Sequence, residues 1–309
     1  MCCLFGLIDY GRQLDRRQKT RMIRALAREC EARGTDAAGI AYHSGGTLHI
    51  DKRPGPARRA RFTVPGDARV VMGHTRMATQ GSAKYVPNNH PFWGKTGRQP
   101  FALAHNGVLY NDALLRQQFG LPNTRIKTDS YVAVQLLEQQ NALDFASLRN
   151  MAEQVQGTFV FTVLDAKDNL YFVRGDNPLC LYHYPREQLY LYASTEEILK
   201  KALSLPVFSK LSQPENIPSR YGDLLKIDPN GVLSQETFDA DLLWEPWPWD
   251  RLVRPGYHSQ TRNNPAPSYW DELKSIASAF GYTPDDVDKL RECGLTAEEL
   301  EEYLYAGEI

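Results

Sequence analysis

Strand-forming segments fall in two blocks with helical patterns between and beside them, which restricts the chain to folds that keep sheets and helices in separate layers. The first block comprises CLFGLID (3–9), GIAY (39–42), LHIDKR (48–53), VVMGHTR (70–76) and FALAHN (101–106). The second comprises TFVFTVLD (158–165), LYFVR (170–174), LCLYHY (179–184) and LYLYAS (189–194), then DLLKID (223–228) and VLSQETF (232–238) around a Pro229-Asn230-Gly231 turn. Helices are expected over Leu14 to Arg33, Asp112 to Phe119, Asp129 to Gln140, Phe145 to Gln154 and Thr195 to Leu203. In the first of these, Met22, Ile23, Leu26, Ala27 and Cys30 recur at three- and four-residue spacing, with Gly34 as the stop signal and the Arg and Lys residues as a solvated face. Residues 78 to 100 read as one long loop. The pattern predicts an α+β sandwich.

The overall charge narrows the partners. With 36 basic against 37 acidic residues the formal balance is −1, which argues against nucleic acid as an obligatory partner. Nothing approaches the roughly 18 uninterrupted apolar residues of a membrane helix, and no basic segment precedes the apolar start. A cytoplasmic protein without a membrane partner is the expectation. The five cysteines are scattered, without the paired spacing of a zinc site, and should be free thiols.

Near residue 244 the texture changes to LLWEPWPWDRLVRPGY and then to a polar stretch, which reads as a boundary. The division expected is a main domain over 1–245, a Trp/Pro-rich linker over 246–267 and an acidic three-helix module over 268–309. From residue 266 onward there are 11 acidic residues and only Lys274, Lys289 and Arg291 as bases. Thr283-Pro284-Asp285-Asp286 and Thr296-Ala297-Glu298-Glu299 are helix-start signals. Such a module serves either as a solvated cap or as a docking element.

Cys2 is the most informative single position. Removal of Met1 before a small residue would leave a thiol and a free α-amino group on one residue. An amine of pKa ~7.7 to 8.0 can take the proton of a thiol of pKa ~8.5, so nucleophile and base need no third partner. Alone, a cysteine here is equally a small apolar residue on the first strand. The context comprises C-C-L-F-G at the start, RGTDAAGIA (33–41), GHTRMATQGSA (73–83), NNHPF (88–92), AHNGVLYN (104–111) and KTDSYV (127–132). In this order they resemble the class II glutamine amidotransferase domain, an N-terminal-nucleophile hydrolase.

The resemblance implies a four-layer αββα sandwich with the C-terminal helices as a small appendage, and glutamine amidohydrolysis without metal or cofactor. It assigns Cys2 as nucleophile, Arg76 to the glutamine α-carboxylate, and Asn106 and Gly107 to the oxyanion hole. It assigns Asp129 to the α-ammonium and Thr79 to the loop that covers the substrate, while Asp129 is also suited to cap the following helix. Three positions depart from the family pattern. Met77 and Gln80 stand where Trp and His are usual in R-W-A-T-H-G, and Cys3 follows the nucleophile where Gly is usual. His74 and His105 read as core imidazoles and His90 as a structural or loop-positioning residue. The 60-odd residues beyond the sandwich leave no room for an ammonia-accepting domain. Three readings follow: a glutaminase subunit feeding a partner synthase, a stand-alone hydrolase of glutamine or another γ-glutamyl amide, or a catalytically silent assembly module.

Overall fold

The computed structural model describes residues 2–240, together with 270, 273, 274, 277, 282–293, 295, 296 and 300. The chain divides into two units, Met1–Glu245 and Pro246–Ile309.

The first unit holds two antiparallel sheets. One has seven strands in the order β11-β9-β10-β1-β4-β2-β3, built from β1 (Cys3–Asp9), β2 (Ala37–Ser44), β3 (Thr47–Pro54), β4 (Val70–Arg76), β9 (Cys180–Tyr184), β10 (Leu189–Ala193) and β11 (Glu215–Ile217). The other has six in the order β13-β12-β8-β7-β6-β5, built from β5 (Phe92–Thr96), β6 (Gln99–Leu109), β7 (Gly157–Leu164), β8 (Leu170–Arg174), β12 (Asp223–Ile227) and β13 (Leu233–Thr237).

Three apolar clusters define four layers. Leu4, Ile8 and Met72 of the first sheet meet Ala104, Val160 and Phe172 of the second. On the outer face of the first sheet, Phe5 and Leu7 pack with α1 (Arg16–Glu29), the short α2 (Ala57–Ala60) and α6 (Glu196–Leu203). On the outer face of the second, Leu103, Phe161 and Val173 pack with α3 (Asp112–Gln118), α4 (Tyr131–Gln140) and α5 (Phe145–Gln154). The fold is thus the expected α+β sandwich, with helices outside and sheets inside. Strand β1 is buried on both faces because successive side chains serve different layers, Phe5 and Leu7 outward, Leu4 and Ile8 inward.

The structure corrects three local expectations. The loop expected over residues 78–100 contains β5, a short edge strand in which Phe92 and Gly94 are buried and Trp93 and Lys95 exposed. Its five residues give too brief an alternation to stand out. Helix α4 begins at Tyr131 and not at Asp129, and Asp129 does not cap it: its carboxylate accepts the Leu109 N–H at 2.7 Å.

The third correction concerns α1, capped by Asp15 and Gln18 in a capping box. One of its bases, Lys19, is not solvated but 1% exposed, with Nζ 3.1 Å from Asp9 Oδ2. It donates to the carbonyls of Gly66 (2.7 Å) and Ala68 (2.6 Å), while Asp9 also accepts the N–H groups of Gln13 and Leu14. A buried charge of this kind persists because both ions are fully hydrogen-bonded.

In the second unit, α7 (Pro284–Glu292) starts at Thr283 in the expected capping box with Asp286. The linker expected over 246–267 and most of the remaining helical module lie outside the described residues.

Replacing Lys19 by Met strands the Asp9 carboxylate in the core and should lower unfolding stability by ~3–5 kcal/mol. The Lys19→Met, Asp9→Asn double variant should recover part of that loss; equal losses in both, measured by urea unfolding, would show that the pair is not the source.

Candidate active site

Neighbouring strand ends build the site. Pairing of Cys3 with Thr75 brings the start of β1 beside the end of β4, so Cys2 and Arg76 emerge together. On the other side of β1, Ser194 at the end of β10 donates its N–H to Leu4 O (2.9 Å) and accepts the Leu4 N–H on Oγ (2.8 Å).

The second sheet supplies Asn106 and Gly107. They lie inside β6, not in a turn, since the strand runs on to Leu109 in register with β7. Asn106 is fully buried, and its Nδ2 lies 3.3 Å from Ser194 Oγ, which joins the two sheets two residues from Cys2. Asn106 Oδ1 has no protein partner, and its main-chain carbonyl accepts from Asn177 Nδ2 at 2.9 Å. Gly107 has φ 142°, and a Cβ there would lie 1.9 Å from Thr158 O, so only glycine fits. Strand β5 pairs with β6 only as far as Leu103, leaving the Asn106–Leu109 edge uncovered by it. Asp129 fills part of that edge through its bond to the Leu109 N–H.

Electrostatics tie the residues together. Burial pushes the Cys2 thiol up from its ordinary range, with the Arg76 guanidinium pulling it down and the Asp129 carboxylate adding to the rise. Burial also raises Asp129, against its backbone N–H donors and Arg76. Cys2 is partly exposed, and its thiol donates to Met77 O at 3.5 Å. Arg76 is 3% exposed and donates to Asn89 Oδ1 (2.8 Å), Gly81 O (2.8 Å) and Gln80 O. Cys2, Arg76, Asn106, Gly107 and Asp129 are therefore brought to one region. Thr79 lies exposed on the loop after β4.

Sequence reasoning missed the supporting residues. Asn89, within the quoted N-N-H-P-F, binds Arg76; Lys52 on β3 donates to Asn89 O at 2.7 Å and is pushed down to about 8 by burial and by Arg76. Ser194 and Asn177 carry no local signal. Beneath them His74, His90 and His105 form a buried cluster, with His74 and His90 ring centroids 4.2 Å apart. His74 Nε2 lies 2.9 Å from His105 O, and His105 Nδ1 lies 2.8 Å from Ser130 Oγ, as suits core imidazoles. Both His90 ring nitrogens lack a protein partner. Among the described residues no group of three or more His, Cys, Asp or Glu side chains is placed to hold a metal, and no helix is long and apolar enough to cross a membrane.

Residues 74–201 match the model of the glutamine amidotransferase domain. The chain is 32% identical over 183 residues to a glutamine–fructose-6-phosphate aminotransferase (isomerizing) of Bacillus spizizenii, covering 56% of this chain and 29% of that protein. To the Geobacillus kaustophilus protein of the same name it is 31% identical over 188 residues, covering 58% and 30%. The chain thus spans about 30% of the length of these curated relatives. In fold it is similar to the glutamine phosphoribosylpyrophosphate amidotransferase of B. subtilis complexed with ADP and GMP, with TM-score 0.61 at 20% identity over 77% of this chain and 49% of that one. Over residues 74–201 the chain is thus similar to glutamine amidotransferase domains, and in fold to a glutamine-dependent amidotransferase.

The histidine cluster makes stability depend on pH. Burial lowers His74 and His105 to about 3, and His90 well below its ordinary value. These imidazoles stay neutral in the folded chain, whereas the unfolded chain protonates them below about 6.5. Their stabilisation is complete above that pH and is lost as pH falls toward 3. His74 and His105 should each cost about 2 kcal/mol by pH 5, with His90 acting in the same direction, and Asp176, raised by burial to about 6, should offset about 1 of the total. A urea midpoint unchanged from pH 7 to pH 5 would show that the cluster is not held neutral.

Proposed function

We propose that this chain hydrolyses the side-chain amide of L-glutamine, with Cys2 as an N-terminal nucleophile after removal of Met1. The observation that carries this reading is the meeting of Cys2 and Arg76, where β1 starts and β4 ends, with Asp129 and the Asn106–Gly107 segment of β6. One guanidinium and one carboxylate beside a thiol match the two charged ends of an amino acid. The match of residues 74–201 to a glutamine amidotransferase domain supports glutamine as that amino acid.

The freed α-amine takes the Cys2 proton, which matters because burial holds the thiol in its protonated form. The sulfur attacks the amide carbon, and the developing oxyanion is met by the Asn106 side-chain amide and the Gly107 N–H. The ammonium returns its proton to the departing nitrogen, ammonia leaves and a glutamyl thioester remains. Water then attacks the thioester, its proton passes to the amine, and glutamate departs as the thiol is restored. Arg76 and Asp129 hold the α-carboxylate and α-ammonium throughout, and Thr79 contributes to the loop over the bound substrate. No metal or cofactor enters this scheme.

The ammonia passes to a partner synthase subunit, or is released where the protein acts alone on glutamine or another γ-glutamyl amide. The matched relatives are named as aminotransferases, which supports an acceptor for the ammonia. Turnover that rises on adding that partner marks the first case. The chain is proposed to work in the cytoplasm as a main domain over 1–245, a linker over 246–267 and an acidic helical module over 268–309.

Ammonia release from glutamine by protein lacking Met1 tests the reading. Cys2→Ala should abolish it, together with covalent labelling by a glutamine-analogue electrophile. Asn106→Ala should lower kcat about 10²–10³-fold, whereas Arg76→Ala should chiefly raise KM. Undiminished kinetics in all three variants would sink the proposal.

A further inference from the structure

Arg76 can recognise a carboxylate only if its planar fork is held in one orientation and its charge is left uncancelled. Among the described residues a single side chain hydrogen-bonds it, that of Asn89, through Oδ1 at 2.8 Å; its other acceptors are the main-chain carbonyls of Gln80 and Gly81. Every polar group of Asn89 is committed. Its Nδ2 donates to Ala83 O at 2.8 Å, which fixes the amide so that oxygen and not nitrogen faces Arg76. Its N–H donates to Val86 O at 3.0 Å, and its carbonyl accepts Lys52 Nζ at 2.7 Å. The residue is wholly buried.

We infer that Asn89 is the positioning residue that aims Arg76 at the substrate α-carboxylate, fastened in turn by Lys52 from β3. The chemistry of the amide is what suits it. A neutral oxygen orients the guanidinium through a hydrogen bond yet leaves its full positive charge to the substrate. A carboxylate at the same place would form an ion pair with Arg76 and compete with the incoming anion. Lys52, a second cation on the same residue, adds positive potential to that end of the pocket. This inference rests on the proposed function, in which Arg76 holds the substrate carboxylate.

The test compares Asn89→Ala and Asn89→Asp with wild type in steady-state glutamine hydrolysis, with active sites titrated by the glutamine-analogue electrophile. Asn89→Ala, which frees the guanidinium to rotate, should raise KM about 10-fold with kcat per labelled site within about twofold of wild type. Asn89→Asp keeps the shape and the acceptor for Arg76, loses the donor to Ala83 O and adds a charge, and should raise KM further. A merely structural role would reduce the number of labelled sites and leave KM alone. Wild-type KM in folded Asn89→Asp, losses that fall on kcat in both variants, or failure of both variants to fold would overturn the inference. Absence of glutamine turnover by the wild-type protein would instead overturn the proposed function itself.

Discussion

The register of β1 between β4 and β10 is the constraint on which the rest of the site depends. Cys3 opposite Thr75 and Phe5 opposite Ala193 fix the start of the chain against two strand ends at once. A slip of one residue would exchange Leu4 and Ile8 with Phe5 and Leu7 between layers, so the hydrophobic pattern of β1 enforces the register. Gly6 enforces it too, because a Cβ there would sit 2.2 Å from Val71 O and 2.6 Å from the Tyr192 ring. A residue next to a chain terminus, as the candidate nucleophile Cys2 is, would otherwise be among the least ordered parts of a protein. Here the burial of seven successive residues anchors it.

A polar layer at the same end connects the two sheets. Ser194 receives both the Leu4 N–H and Asn106 Nδ2, His74 meets His105 O, and His105 in turn meets Ser130 beside Asp129. Each contact joins residues distant in sequence, so the start of β1, the Asn106–Gly107 segment and the neighbourhood of Asp129 share one network. Such networks hold geometry well when satisfied and are costly when they are not. Asn106 Oδ1 and both His90 ring nitrogens have no protein partner in this layer.

The strands of this chain were legible because β-branched and aromatic runs bounded by turn residues are strong local signals: β4, β8 and α5 fall on the expected residues 70–76, 170–174 and 145–154. What escaped depends on tertiary context. Lys19 has the composition of a solvated residue and is buried because Asp9 and two carbonyls await it. Strand β5 exists because β6 offers an edge. Cys2, Arg76, Asn106–Gly107 and Asp129 stand in ordered motifs, which is what makes them candidates. Ser194 stands in none of them and acts on residues 88 and 190 positions away. Asn89 was hidden beside the more conspicuous His90.

The departures from the family pattern look different once placed in three dimensions. Cys3 belongs to the helix-side core, its Sγ 3.0 Å from that of Cys30, because β1 alternation turns it away from the inter-sheet face. A bulkier residue than glycine is therefore accommodated without entering the region of Arg76. Met77 and Gln80 engage the site through main-chain carbonyls, one accepting the Cys2 thiol and the other Arg76. A carbonyl does not depend on which side chain its residue carries. The three departures, which are what a catalytically silent reading would rest on, thus leave the contacts of Cys2 and Arg76 in place, and the physical case for chemistry rests on those contacts and not on the letters that differ.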